Sequence, residues 1–108
     1  MHELSIFVIV PLVIRSFADK HTAVVFYGDP TARARRIPAE LVRVVLRKLA
    51  QLDAAAHLDD LRSPPGNRLE ALRGDRAGYH SIRVNDQWRL VFRWHADGAH
   101  EVELTDYH

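Results

Sequence analysis

A chain of 108 residues has room for one domain with a single core. Hydrophobic residues make up 47% of it, which excludes a disordered chain, and the absence of cysteine excludes disulfides, thiolate metal sites and cysteine nucleophiles. The formal net charge is only +1, but residues 33–48 are rich in arginine and residues 97–106 are acidic, so local patches can still bind nucleic acid.

The first twelve residues contain an apolar run, Ile6–Val10, that is followed by Pro11. They lack a basic leader and a small-residue cleavage site, and the run is too short to span a bilayer. The sequence therefore predicts neither a signal peptide nor a membrane helix. We interpret residues 1–12 as an N-terminal extension without an assigned role, and residues 13–108 as a single domain.

Two helices are predicted in the first half of this domain. Residues 13–17 are expected to form a short strand, and residues 18–27 a helix that ends at Gly28. A second helix is expected to start at Pro38, whose missing N–H is not needed there. Apolar residues recur at helical spacing in this second helix and predict the stripe that covers a sheet: Leu41, Val44, Val45, Leu49 and Leu52.

Three basic residues of the second helix, Arg43, Arg47 and Lys48, lie off the apolar stripe. We interpret them as a solvated flank, because charged side chains are rarely buried. Binding of phosphates or of a partner protein by this flank is the alternative.

The segment that follows is rich in turn signals. Residues 58–61 are expected to form a helical turn, and Pro64-Pro65-Gly66 an extended bend, because proline restricts the residue before it. Residues 67–73 alternate in polarity, which predicts a strand with Leu69 facing inward and Ala71 as a further inward candidate.

Residues 78–94 predict a β-hairpin, since apolar residues occupy every second position on both sides of a polar turn. A two-residue turn would pair Ile82 with Arg89 and mix the apolar and polar faces. A three-residue loop, residues 85–87, pairs Ile82 with Leu90 instead. We predict this second register.

The predicted register places Arg83 directly across from Arg89 on the opposite face. Like charges that face each other across two strands cost ~0.2–1 kcal/mol. A face that tolerates this repulsion is a candidate anion site, while the alternative is that the arginines point into solvent or pair with glutamates. A further strand over residues 100–105 would bring two glutamates beside Arg93, which favours pairing for Arg93 more than for Arg89.

The seven histidines form no metal motif, and no glycine-rich phosphate loop is present. We therefore predict no metal and no cofactor. His80 is expected to be a satisfied core residue on the apolar side of its strand. His108, next to Tyr107 and Asp106, has no packing reason for its place and is a candidate for proton exchange near neutral pH.

Six short motifs, spread over almost the whole chain, occur in an order that one protein family shares. They are Ile14-Arg15-Ser16-Phe17, Pro64-Pro65-Gly66-Asn67-Arg68-Leu69, Leu72-Arg73-Gly74-Asp75-Arg76, Ser81-Ile82-Arg83, Asn85-Asp86-Gln87-Trp88-Arg89 and Asp106-Tyr107-His108. In these motifs the chain resembles the HigB toxins of the RelE superfamily.

The resemblance implies an α+β, RelE-like fold, in which N-terminal helices pack on one face of a small, mainly antiparallel, curved sheet. It implies the toxin of a type II toxin–antitoxin system, a ribosome-dependent endoribonuclease that cleaves mRNA in the small-subunit decoding site by metal-independent acid–base chemistry. The implied partners are the ribosome, mRNA and a HigA-like helix-turn-helix antitoxin, with operator DNA contacted only through the antitoxin, in the cytoplasm and without a membrane. A non-catalytic RNA- or partner-binding module that acts as a co-repressor with the antitoxin is the alternative.

Carried over by position, the resemblance places Arg89 at the scissile phosphate. Arg73 stands where many relatives have lysine, and Glu70 where some have histidine. The predicted catalytic residues are Arg73, Arg89, Asp106, Tyr107 and His108, and the predicted RNA-binding residues are Arg68, Glu70, Arg76, Tyr79 and Arg83. Metal-free cleavage needs the 2′-OH deprotonated, the leaving 5′ oxygen protonated and the phosphate charge stabilised. Which residue is the base and which the acid stays open.

Overall fold

Two helices precede a four-stranded antiparallel sheet in the computed structural model, which describes residues 13–28 and 38–106. The predicted extension (1–12) and the predicted site residues Tyr107 and His108 lie outside the described residues, as does the segment 29–37. The helices and strands are α1 (Lys20–Tyr27), α2 (Ala39–Ala54), β1 (Glu70–Ala71), β2 (Tyr79–Arg83), β3 (Trp88–His95) and β4 (Gly98–Asp106), with short 3-10 turns at Leu58–Arg62, Pro65–Asn67 and Gly74–Arg76. The strand order is β1-β2-β3-β4, which confirms the α+β prediction.

Local signals explain where both helices begin and where α1 ends. The Asp19 side chain accepts a hydrogen bond from the Thr22 backbone N–H at 3.4 Å, so α1 begins two residues later than predicted. Gly28 ends α1 in the left-handed conformation, which glycine adopts without steric cost. α2 begins directly after Pro38, close to its predicted start, because proline lacks the N–H that a helix interior requires and its ring would clash with a preceding helical turn, whereas a helix start needs neither.

The core lies between the helices and one face of the sheet. Its fully buried members include Val45, Leu49 and Leu52 from α2 and Ile82, Leu90 and Phe92 from the sheet. Leu41 and Val44 pack against this cluster from its margin, so the predicted stripe is confirmed. Burying each of these large side chains contributes about 1.5–3 kcal/mol, which makes this layer the main source of stability.

β2 and β3 pair in the register that the alternating sequence predicts, with Arg83 directly opposite Arg89. The loop between them is fixed by Asn85, whose side-chain oxygen accepts hydrogen bonds from the backbone N–H groups of Gln87 and Trp88, both at 2.8 Å. Such an Asx-type turn sets the loop length, and the loop length decides which side chains face the core.

The outer edge of β4 is covered by the segment that precedes α1. Ile14 and Phe17 form isolated parallel bridges to β4. Ser16 Oγ accepts a hydrogen bond of 2.8 Å from the Glu101 backbone N–H, at the bulge that interrupts the ladder between β3 and β4. The predicted strand over residues 13–17 is therefore reduced to two bridges, although it still protects a sheet edge.

Asp53 of α2 anchors the start of the described fold. Its Oδ1 accepts hydrogen bonds from the backbone N–H groups of Val13 and Ile14, both at 2.9 Å.

We propose that residues 1–12 are an extension that the fold does not require. A chain with an initiator methionine directly before Val13 keeps both donors, so we expect its melting temperature to stay close to that of the full chain. Aggregation or a much lower melting temperature would show that the extension is structural.

Gly98 allows β4 to pass close to the first described residue. Its φ is +127°, and a Cβ placed there would lie 2.1 Å from the Val13 carbonyl oxygen. We expect Gly98→Ala to lower the free energy of unfolding by roughly 2–4 kcal/mol, because it adds backbone strain and displaces Val13. Gly66→Ala is the matched control, since a Cβ at Gly66 meets nothing within 4 Å. Urea unfolding compares the two variants, and equal midpoints would argue against the close approach.

The strand predicted over residues 67–73 is wrong in extent. Only Glu70–Ala71 is a strand, and Ala71 is exposed instead of facing inward. Asn67 ends a 3-10 turn and Arg68 has a left-handed backbone with φ 46° and ψ 58°, so the chain cannot extend until after these two residues.

Two predicted side-chain environments are also wrong. Lys48, expected on a solvated flank, is only 7% exposed. His80 lies on the core side and stacks on Phe92 with ring centroids 6.3 Å apart, but among the described residues its buried Nδ1 has no hydrogen-bond partner. Burial lowers the pKa of His80, which favours its neutral form.

Candidate functional site

An open cleft of about 430 Å³ lies on the sheet face that points away from the helices. Its lining is strongly charged and consists of Arg68, Glu70, Arg83, Asn85, Asp86 and Arg89. One wall comes from Arg68, which follows the 3-10 turn Pro65–Asn67, and from β1. The other wall comes from the β2–β3 hairpin loop. The cleft combines three arginines with two carboxylates, which is a composition suited to binding anions at a polar surface.

Arg89 is held rigidly in this cleft. Its Nε donates to Ser81 Oγ at 2.7 Å, and its Nη2 donates to the Arg68 carbonyl oxygen at 2.6 Å. The side chain is only 11% exposed, because it lies flat across β2 and covers Ser81, which is fully buried. The alternative of an arginine that points freely into solvent is therefore wrong for Arg89, and no local sequence pattern indicated that Ser81 orients it.

The remaining donors of Arg89 face the cleft. Among the described residues its Nη1 has no hydrogen-bond acceptor, while Glu70 Oε1 lies 3.7 Å from Nη2. A guanidinium fixed through Nε and one terminal nitrogen keeps its other terminal nitrogen available in a defined direction. This arrangement can bind one oxygen of a phosphate without a further change of rotamer.

Carboxylates offset the repulsion between Arg83 and Arg89. Arg83 Nη2 pairs with Asp86 in the hairpin loop, and Arg89 pairs with Glu70 of β1. The two carboxylate side chains are 100% and 57% exposed, so each pair contributes no more than about 1 kcal/mol. The two arginines are thus paired with carboxylates. Because these carboxylates are exposed, an incoming anion can displace them, so the face can still serve as an anion site.

Arg76 and Tyr79, predicted to bind RNA, lie at the other end of the same face. The guanidinium carbons of Arg76 and Arg93 lie 5.3 Å and 5.2 Å from the centre of the Tyr79 ring, and Tyr79 Oη donates to Glu101 at 2.9 Å. Arg93 lies 3.9 Å from Glu101, which confirms the predicted pairing. The Tyr79 ring is already engaged with two cations, and its role in RNA binding stays a prediction.

Of the other predicted site residues, the structure describes Arg73 and Asp106. Arg73 is exposed at the start of a 3-10 turn and does not line the cleft. Asp106 ends β4 opposite Trp88 and accepts a hydrogen bond of 3.2 Å from Gln87 Nε2, which places it beside the hairpin loop. Tyr107 and His108, which follow it in sequence, lie outside the described residues.

Within the part of the chain that the structure describes, no cluster of three or more histidines, cysteines, aspartates and glutamates could hold a metal ion. No helix in these same ranges is long and apolar enough to cross a membrane.

Comparisons with known proteins agree on one family. The family described as RelE-like toxin of type II toxin-antitoxin system HigB matches residues 15–108. Toxin HigB-1 of Vibrio cholerae serotype O1 is 52% identical over 82 residues, which cover 76% of this chain and 81% of that protein. Endoribonuclease HigB of Proteus vulgaris is 31% identical over 96 residues, which cover 89% of this chain and 100% of that protein.

A solved structure shows the same fold at low identity. A chain of the YoeB-YefM complex from Staphylococcus aureus matches with a TM-score of 0.56 and 16% identity, over 88% of this chain and 97% of that chain. At this identity the likeness concerns the fold alone. Taken with the sequence matches, it agrees with the resemblance seen in the motifs, and the chain belongs to the HigB-like family of RelE-like toxins of type II toxin-antitoxin systems.

Proposed function

We propose that this toxin is a ribosome-dependent endoribonuclease that cleaves mRNA in the small-subunit decoding site without a metal ion. The observation that carries the proposal is the fixed Arg89 guanidinium beside Arg83 in an open cleft. The relative from Proteus vulgaris is named an endoribonuclease, which supports the same reaction class for this chain.

In this proposal the scissile phosphate binds at Arg89 and displaces Glu70. Charge develops on the phosphate oxygens in the transition state, and a donor that is already oriented stabilises that charge without reorganisation. Arg83 and Arg68, on either side of the cleft, bind neighbouring phosphates of the same strand. Arg73 and Arg76 extend the basic surface along the RNA.

Proton transfer requires groups beyond the described lining of the cleft. None of the described residues that line it is a histidine, the side chain that exchanges protons most readily near neutral pH. We assign this chemistry to the tail, with His108 as the proton-exchanging group, Asp106 as its orienting partner and Tyr107 as a stacking or proton-donating group. Asp106 ends β4 beside the hairpin loop, so the tail follows directly from an element of the site.

The openness of the cleft supports dependence on the ribosome. A site that contacts RNA from one side constrains the 2′-OH, phosphorus and 5′ oxygen less than a site that encloses the strand, and in-line alignment of these atoms is needed for cleavage. The decoding site would supply that constraint on mRNA. A HigA-like antitoxin of the helix-turn-helix class would neutralise the toxin in the cytoplasm, and operator DNA would be contacted through the antitoxin.

Mapping of mRNA 5′ ends tests the proposal. Expression of the chain should create new ends inside translated reading frames, and a reporter whose start codon is removed should remain uncut. A phosphorothioate at the scissile position should slow cleavage equally in Mg²⁺ and in a thiophilic metal ion, because no metal contacts the phosphate. Growth arrest without new ends would instead favour the non-catalytic binding module.

A further inference from the structure

Lys48 is buried in a way that packing alone does not explain. It is 7% exposed on α2, and among the described residues no carboxylate lies within ion-pair distance of it. Lysine is almost never fully buried unless it is paired, because removing its charge from water is costly. Its Nζ donates to a neutral acceptor, Asn67 Oδ1, at 2.6 Å.

Asn67 transmits this contact to the wall of the cleft. It is fully buried, and its Nδ2 donates to the carbonyl oxygens of Leu61 at 3.1 Å and Ser63 at 3.4 Å. Its side chain therefore links α2 to the two 3-10 turns that precede β1. Without the lysine, Asn67 Oδ1 would be a buried acceptor without a partner, at a typical cost of about 1–3 kcal/mol.

The residue after Asn67 is Arg68, whose left-handed backbone is uncommon for an arginine. This conformation points the Arg68 carbonyl oxygen at Arg89 Nη2, 2.6 Å away. A chain of short contacts therefore runs from Lys48 through Asn67 and the turn to the guanidinium of the cleft. We propose that Lys48 is a positioning residue for Arg89: through Asn67 it fixes the turn whose Arg68 carbonyl orients the Arg89 guanidinium.

The electrostatic environment of Lys48 is unfavourable for its charge, which agrees with a functional reason for its burial. Burial lowers the pKa of Lys48, and the charges of Arg47 and Arg83 lower it further, so the ammonium lies close enough to Arg83 of the cleft to be affected by its charge. A purely structural residue at this position could be apolar and avoid both penalties. The proposal rests on the proposed function for its effect on cleavage, but the link from Lys48 to Arg89 is a property of the fold.

The experiment uses the full chain with three substitutions. Lys48→Met keeps the aliphatic stem and removes the donor, and Lys48→Gln keeps an N–H donor without the charge. Lys20→Met is the matched control, because Lys20 is the other lysine of the chain and is exposed at the start of α1. The first readout is the Arg89 Nε–H resonance in a nitrogen-15 spectrum, identified by its loss in Arg89→Lys. The second is single-turnover cleavage of ribosome-bound mRNA.

We expect Lys48→Met to shift or broaden the Arg89 Nε–H resonance, Lys48→Gln to do so less, and Lys20→Met to leave it unchanged. We expect the maximal cleavage rate of Lys48→Met to fall roughly 10- to 100-fold, with KM for programmed ribosomes nearly unchanged, because orientation is lost and charge in the cleft is not. An unchanged Arg89 resonance in a folded Lys48→Met protein would overturn the proposal, as would an equal change in Lys20→Met. If the parent chain cleaves no mRNA, the proposed function fails, and the resonance alone decides the role of Lys48.

Discussion

Arg89→Ala is expected to slow mRNA cleavage by roughly 10²- to 10³-fold, because it removes a donor that is oriented toward the developing phosphate charge. The structure adds a stability cost that the sequence did not suggest. Loss of the guanidinium leaves buried Ser81 Oγ and the Arg68 carbonyl oxygen without their partner, so the free energy of unfolding should fall by about 1–3 kcal/mol. If most Arg89→Ala molecules remain folded after this loss of stability, unfolding lowers the cleavage rate only slightly. The expected fall in rate is much larger and therefore reports the loss of the phosphate donor.

Three further variants separate these effects. Arg89→Lys keeps the charge but not the planar fork, so we expect partial activity. Ser81→Ala removes only the acceptor for Nε and should have an intermediate effect on the rate. Arg93→Ala, on the same strand and face but outside the cleft, is the matched control and should cleave like the parent. Single-turnover rates and urea unfolding of all four proteins check the prediction, and a parental rate for a folded Arg89→Ala would move the phosphate site elsewhere.

The hairpin could be predicted from the sequence because its signals are local. Alternating apolar residues define the core face, and Asn85 can satisfy two backbone N–H groups within its own loop. These two facts fix the register, and the register fixes Arg83 opposite Arg89. The helix stripe could be predicted for the same reason, since its period is a property of a single element.

The parts that could not be predicted depend on contacts between distant segments. Lys48 directly follows Arg47 in the sequence and was therefore predicted to face solvent. Its partner Asn67 is 19 residues away, in a turn whose backbone conformation the sequence does not indicate. Arg68 adopts the left-handed backbone conformation although it is neither glycine nor asparagine, the residues that usually predict it. The orientation of Arg89 depends on both, so the sequence predicted the position of Arg89 opposite Arg83 but not the contacts that hold its guanidinium.

The contact of residues 13–17 with the outer edge of β4 could not be predicted for a similar reason. Its contacts are made across more than 80 residues of sequence, for example from the Arg15 N–H to the Ala99 carbonyl oxygen at 2.7 Å. Hydrophobic alternation predicts that a segment is extended but not which edge it joins. Gly98 is the one local sign of this contact, because only a residue without Cβ permits the approach of Val13.

His108→Gln is expected to slow cleavage by about 10²- to 10⁴-fold while leaving the melting temperature unchanged, because a general acid–base group contributes rate and the substitution keeps a polar side chain of similar size. Glutamine can still form hydrogen bonds but cannot titrate. The parent should show a pH dependence of the single-turnover rate between roughly pH 5 and 8, the range in which histidine usually changes charge, and the variant should lose it. The two readouts together distinguish lost chemistry from a damaged fold.

The same prediction needs a control for docking, since a tail could act by contacting the ribosome. We therefore compare His108→Gln with Asp106→Asn, which alters the residue that accepts a hydrogen bond from Gln87 and that is proposed to orient the imidazole. Asp106→Asn should lower the rate less than His108→Gln and shift the pH dependence without removing it, because the imidazole remains.

If both variants bind programmed ribosomes like the parent and His108→Gln keeps the parental rate and pH profile, His108 takes no part in the chemistry, and Tyr107 becomes the next residue to test. If His108→Gln instead loses ribosome binding, the tail is a docking element, and the lower rate is then no evidence that His108 exchanges protons.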